Sequence, residues 1–135
     1  MKNMTHLSLI ALFAIMLNAC QKEDASPVSK ISQPVFNSSK TYNTMTDQDG
    51  NIYKTITIGT QTWMAENLRV TTYRDGTTIP ELKSGQEWNT AEKGAFCNYN
   101  NTASADTILY YGRLYNWYTV TDNKKIAPEG WHVPT

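Results

Sequence analysis

Hydrophobic and polar residues fall along this chain in blocks of different period, and each change of period predicts an element. Residues 7–17 are apolar almost without a break (Leu7-Ser8-Leu9-Ile10-Ala11-Leu12-Phe13-Ala14-Ile15-Met16-Leu17). A bilayer span needs roughly 20 such residues at 1.5 Å rise each, so this run is too short to cross comfortably. Residues 25–43 are mostly Ser, Thr, Asn, Lys and Pro; they cannot bury enough apolar surface to offset the entropy of ordering, and a flexible tether is expected. Order is expected from about Thr46. Asp47-Gln48-Asp49-Gly50-Asn51 predicts a turn, with Gly50 and Asn51 tolerating positive φ. It is also similar to the opening of a calcium loop, but the further ligand position and the distant glutamate are missing. Ile52-Tyr53-Lys54-Thr55-Ile56-Thr57-Ile58 is a β-branched and aromatic run with Ile52, Ile56 and Ile58 on one face, the pattern of a strand. Gly59-Thr60-Gln61 turns it into a second strand at Thr62-Trp63-Met64.

Further on, Tyr73-Arg74-Asp75-Gly76-Thr77-Thr78-Ile79-Pro80 holds an Asp-Gly turn signal and a short extended piece. A polar loop is expected around Lys83, Ser84, Gln86, Glu87 and Asn89, with Trp88 standing among them. Gly94-Ala95-Phe96-Cys97-Asn98-Tyr99 is strand-like. The period then lengthens: Tyr110, Leu114, Trp117 and Tyr118 stand at i, i+4, i+7 and i+8. That spacing predicts a helix over residues 111–120 with an apolar stripe, stopping at Asp122-Asn123-Lys124-Lys125. Ala127-Pro128-Glu129-Gly130 predicts a turn. The class is α+β, with short strands, long loops and one main helix. Trp63 and Trp117 are expected in the core, which leaves Trp88 as the tryptophan offered for ligand contact.

Charge removes some functions from consideration. Twelve Lys and Arg balance twelve Asp and Glu across 135 residues, so no basic footprint for nucleic acid is present. Membrane attachment must therefore come from lipid. Lys2, the apolar run and a small residue before the cut have the layout of a secretory signal over residues 1–19. Leu17-Asn18-Ala19-Cys20 resembles a bacterial lipobox, which implies cleavage before Cys20, diacylglycerol on its sulfur and acylation, as by palmitate, of the new amino terminus. An ordinary signal peptide with an incidental cysteine is the alternative. Several acyl chains at roughly 0.8 kcal/mol per buried CH₂ anchor durably where one does not. The next four residues, Gln21, Lys22, Glu23 and Asp24, resemble the Lys-acidic-acidic export signal of surface lipoproteins in the Bacteroidota; a merely solvated start to the tether is the alternative. The expected layout is a lipoprotein signal peptide at 1–19, a tether at 20–45 and a folded part at 46–135, on an outer membrane and facing outward.

Four runs carry a more specific likeness: Asp49-Gly50-Asn51-Ile52-Tyr53, Ile58-Gly59-Thr60-Gln61-Thr62-Trp63-Met64-Ala65-Glu66-Asn67-Leu68, Tyr111-Gly112-Arg113-Leu114-Tyr115-Asn116-Trp117-Tyr118 and Pro128-Glu129-Gly130-Trp131-His132-Val133-Pro134-Thr135. They resemble the Fibrobacter major paralogous domain over residues 46–135. That family is similar to the C-type lectin-like fold in its sulfatase-modifying-factor version, where a helix carrying an Asn-Trp pair precedes a Leu-Pro-Thr-type segment and another helix. Thr135 is a good helix N-cap, and the resemblance implies that a helix, later strands and a second cysteine follow it. The chain is accordingly expected to be the N-terminal portion of an incomplete lectin-like domain. Cys97, an odd thiol in an exported chain, would then pair with a cysteine in the missing part.

A non-catalytic binding or adhesion domain for an extracellular polysaccharide or protein is the function expected first. A passive structural surface component comes next, and an oxidase related to the sulfatase-modifying factors last. The calcium-dependent sugar motifs of true C-type lectins are absent; Trp88-Asn89-Thr90 is not one. His132 lies in a motif read as structural. No acid/base pair, phosphate loop or metal-spaced cluster occurs in the sequence, so no catalytic residue, metal or cofactor is expected.

Overall fold

The structure is a computed structural model that describes residues 33–134; the expectations for residues 1–19 and 20–24 lie outside the described residues. Three strands, β1 (Asn43–Thr46), β2 (Ile52–Ile58) and β3 (Gln61–Met64), form an antiparallel sheet in the order β1-β2-β3. The hairpin expected at Gly59-Thr60 pairs Ile58 with Gln61 and Ile56 with Trp63. β1 takes in Asn43 to Met45, residues assigned above to the tether. Upstream of it, Phe36 and Tyr42 pack edge to face with centroids 5.3 Å apart, and the Lys54 ammonium lies 4.3 Å from the Phe36 ring. The folded part thus begins before Thr46.

Asp47 closes the β1–β2 turn. Its Oδ1 accepts the N–H groups of Asp49 and Asn51 at 2.9 and 2.8 Å, and Gly50 takes φ +83°. The next segment, residues 65–82, folds back at Asp75-Gly76, with Thr72 bridging Thr78, and Glu81 bridges Phe96. Where a polar loop was expected there is a helix, α1 (Gly85–Thr90), closed by a capping box: Ser84 Oγ accepts from Glu87 N–H while the Glu87 carboxylate accepts from Ser84 N–H. The signal was legible as Ser-x-x-Glu. Trp88 therefore sits on a helix, half-buried.

β4 (Phe96–Asn98) and β5 (Arg113–Tyr115) make a second, antiparallel ribbon. Between them lies α2 (Ala105–Tyr111), capped by Ser104. α3 (Trp117–Thr121), capped by Asn116, follows β5. The single helix expected over residues 111–120 does not form. Gly112 ends α2 at φ +68°, ψ −154°, a region that side chains avoid. A Cβ there would also meet Asn67 Cβ at 2.5 Å and the Leu68 carbonyl at 2.8 Å. Arg113 N–H donates to Leu68 O at 3.0 Å, so the chain is drawn into a strand and restarts as a helix only at Asn116.

The hydrophobic core is small: Val70, Tyr73, Ile79, Phe96 and Ile126, with Leu68 and Tyr115 packed against it. Close packing at Gly94 excludes a side chain, since a Cβ would lie 1.9 Å from the Tyr73 hydroxyl. The interior also holds buried polar residues, among them Asp47, Thr55, Arg69 and Thr119. Tyr53, fully buried, donates its hydroxyl proton to Asp47 Oδ2 at 2.6 Å and accepts from Arg69 N–H at 2.9 Å. The Arg69 guanidinium stacks 4.1 Å from the Tyr53 centroid, donates to Ile52 O at 2.8 Å and pairs with Glu66 at 3.2 Å. Burial first, then the hydrogen bond to Asp47, pushes the Tyr53 phenol well above its ordinary pKa. The sheet thus buries the face carrying Tyr53 and Thr55. Ile52 and Ile58, on the other face, stay 63 % and 61 % exposed. Among the described residues no helix is long and apolar enough to cross a membrane.

Candidate functional site

Residues 131–134 run along the surface with an open groove on each side. The first, about 570 Å³, is lined by Trp63, Met64, Leu68, Trp131 and Val133 among others. The second, about 660 Å³, is lined by Arg74, Trp117, Val120, Lys125, Trp131 and His132 among others. Local chemistry explains how each wall is placed. Trp63 stands on β3 opposite Ile56. Trp117 is the first residue of α3, held there by Asn116. Asn116 Oδ1 accepts from Ala95 N–H and Thr119 N–H, and its Nδ2 donates to Lys93 O at 2.8 Å. Arg74 fixes the ridge between the grooves: its guanidinium donates to the carbonyls of Ala127, Pro128 and Trp131 at 2.8, 2.9 and 3.2 Å. The turn expected at Ala127-Pro128-Glu129-Gly130 closes through Trp131 N–H to Pro128 O at 3.0 Å.

The tryptophans are distributed otherwise than the sequence suggested. Trp117 is 73 % exposed and Trp63 40 % exposed, so neither belongs to the core, and both are more open than the half-buried Trp88. The stripe expected to be buried with Trp117 is open too: Tyr110, Leu114 and Tyr118 are 41 %, 54 % and 44 % exposed. With β5 inserted, those four residues no longer share one helix face. Trp88 lines neither groove. His132 does lie in both, exposed.

Cys97 sits in the middle of β4, half-buried, opposite the exposed Leu114. Burial, and secondarily the charge of Glu81, pushes its thiol above the ordinary cysteine range. It is unpaired among the described residues; Cys20 and Gln21, Lys22, Glu23 and Asp24 lie outside them.

The Asp47–Asn51 turn is consumed by the fold. Asp49 accepts from the amide and hydroxyl of Thr71 and from the Thr72 hydroxyl. Burial alone would raise its pKa, but these hydrogen bonds together outweigh burial and hold the carboxyl below the ordinary range. Among the described residues no group of three or more His, Cys, Asp or Glu is placed to hold a metal ion.

Buried polar bracing, two short antiparallel sheets and an open aromatic surface define a small α+β domain. More specifically, the model of the Fibrobacter succinogenes major domain matches residues 56–135, and the chain belongs to that family. The match begins inside β2 rather than near Thr46, so β1 and the Asp47 turn precede it. Neither the curated proteins nor the solved structures include a match to the chain.

Proposed function

We propose that this protein is a bacterial lipoprotein, anchored through Cys20 to the outer membrane and displayed outward by Gln21-Lys22-Glu23-Asp24. Its folded part is a non-catalytic binding or adhesion module with a C-type lectin-like fold, for an extracellular polysaccharide or protein. The observation that carries the binding reading is the exposure of Trp117 and Trp63 at the two grooves beside Trp131. An indole face presented to solvent is a large rigid contact surface with a polar edge, suited to sugar rings and to peptide side chains. Single exposed apolar residues are ordinary, but several tryptophans lining adjacent grooves are the pattern of an interaction site. For chemistry, Cys97 is a poor candidate nucleophile, since burial and Glu81 push its thiol above the ordinary range rather than below it.

The test is a glycan array and an extracellular-protein panel probed with the folded protein, its Trp63→Ala and Trp117→Ala variants alongside. Binding reduced in either variant supports the module. No binding by a cooperatively folded protein refutes it and favours a passive structural component. For the anchor, Cys20→Ser is expected to release the protein from membranes or leave the precursor uncut; unchanged fractionation and processing would overturn lipidation. Replacing Glu23 and Asp24 by alanine is expected to reduce protease shaving on intact cells. Undiminished shaving would make these residues an ordinary start to the tether.

A further inference from the structure

The two grooves differ in charge. The groove holding Trp117 has two permanent cations in its lining, Arg74 and Lys125, together with His132, and no carboxylate among the described residues that line it. The groove holding Trp63 has neither an arginine nor a lysine.

The two cations have different duties. Arg74 spends its donors on the carbonyls of Ala127, Pro128 and Trp131, and its other nitrogen lies 3.5 Å from the exposed Glu129. It holds the groove wall, and its charge is offset by Glu129. Lys125 is exposed and forms no ion pair among the described residues, unlike its neighbour Lys124, which reaches Asp122. Its backbone is pinned at both ends: its N–H donates to Asp122 O at 3.0 Å and its carbonyl accepts from Arg74 N–H at 2.9 Å. Between these bonds it takes φ +59°, a left-handed conformation uncommon for a residue that is neither glycine nor asparagine. Such a conformation persists only where the surroundings impose it, and it is met often at ligand sites. The result is an exposed ammonium on a pinned backbone, in a groove that the open Trp117 ring also lines.

We propose that this groove binds an acidic saccharide, a uronic-acid unit of an extracellular polysaccharide, with the sugar face on Trp117 and the carboxylate met by Lys125. This rests on the reading of the domain as a binding module. Charge complementarity selects the ligand: a neutral sugar would use the indole and leave the Lys125 ammonium idle, while a carboxylate on a pyranose ring uses both.

The probe is trigalacturonate, with a neutral galactose trisaccharide as its partner, titrated calorimetrically into the protein at low and high salt. Trigalacturonate is expected to bind, and to weaken several-fold between about 50 and 500 mM salt as screening shortens the reach of the cations. Lys125→Gln is expected to lose about tenfold, the scale of one charge-assisted hydrogen bond, and Trp117→Ala at least as much. Leu114→Ser, at an exposed residue that lines neither groove, is expected to bind trigalacturonate as the parent does. Equal binding of the neutral trisaccharide, or no change in Lys125→Gln, would overturn the acidic-saccharide assignment and leave the module standing. Sedimentation showing a dimer with Trp117 shielded from acrylamide would overturn it too, because a second copy would then occupy the groove. Loss of all glycan and protein binding would remove the underlying reading as well.

Discussion

Two stretches of this protein invert the expected relation between polarity and burial. Around β2, the residues inside are Asp47, Tyr53, Thr55 and Arg69, all at or below 7 % exposure. Between residues 110 and 118, by contrast, the residues left outside include Tyr110, Leu114, Trp117 and Tyr118. The first stretch is tolerated because Tyr53, Asp47 and Arg69 each meet partners. Tyr53 both donates and accepts, Asp47 accepts from four groups, and Arg69 has a carboxylate, a carbonyl and a ring. A buried polar group is costly only when it is left unsatisfied. The second stretch shows the converse: an apolar period does not bury itself unless the tertiary structure brings another surface to it.

Breaking the ion pair should give the largest effect. Arg69→Ala leaves Glu66, whose side chain is only 10 % exposed, as a charge without its partner; the expected loss is about 3–5 kcal/mol, the usual cost of orphaning one member of a buried pair. Urea denaturation checks it, and a loss below about 1 kcal/mol would mean that Glu66 reaches water, since exposed pairs are worth no more than that. Tyr53→Phe keeps the ring and its stacking on Arg69 but deprives Asp47 of a donor and Arg69 N–H of an acceptor. It should cost about 1–3 kcal/mol, the penalty for leaving such groups unmade, with the cooperativity of the melt retained.

A smaller effect is set by pH. The folded pKa of Asp49 is depressed, so its stabilising contribution is present above the unfolded value of about 3.9 and is lost as pH falls through the folded one. Asp49→Asn should therefore lower stability at neutral pH and flatten the acid limb of the stability curve below about pH 4. An unchanged acid limb would show that Thr71 and Thr72 do not hold the carboxylate in solution. Smallest of all, Leu114→Ser in the exposed stretch should shift stability by no more than about 0.5 kcal/mol. A loss of about 2 kcal/mol or more would place Leu114 in a buried contact in solution, on the scale of a core side chain, and would erase the contrast between the stretches.

Much of this was readable residue by residue. β2, the hairpin into β3, the Asp47 and Asp75 turns and the stop after Thr121 rest on β-branched side chains and on residues that accept turn conformations. Three of the four family runs, those from Ile58 onward, fall within the matched residues. α1 was readable as well: its capping box lies in Ser84 and Glu87, but the polar composition around it suggested a loop. Of the site residues named from sequence, Trp88 lines neither groove, while Trp117 and Lys125, which line the second, were not among them.

What the sequence alone determined, then, was the α+β class, the family and those elements whose cause lies within a few residues of them. Only the tertiary structure decided which face of β2 turns inward, because Asp47 and Arg69 must both reach the Tyr53 hydroxyl before that face can be buried. It also decided that residues 110–118 break in two. Their helical period is a local preference, overruled when Gly112 packs against Asn67 and Leu68, and when Arg113 to Tyr115 pair with β4. These contacts join residues far apart in sequence, and no window of a few side chains contains them. Trp117 reaches the surface for the same reason: what surrounds a side chain depends on where distant segments lie, and its neighbours in sequence do not specify that.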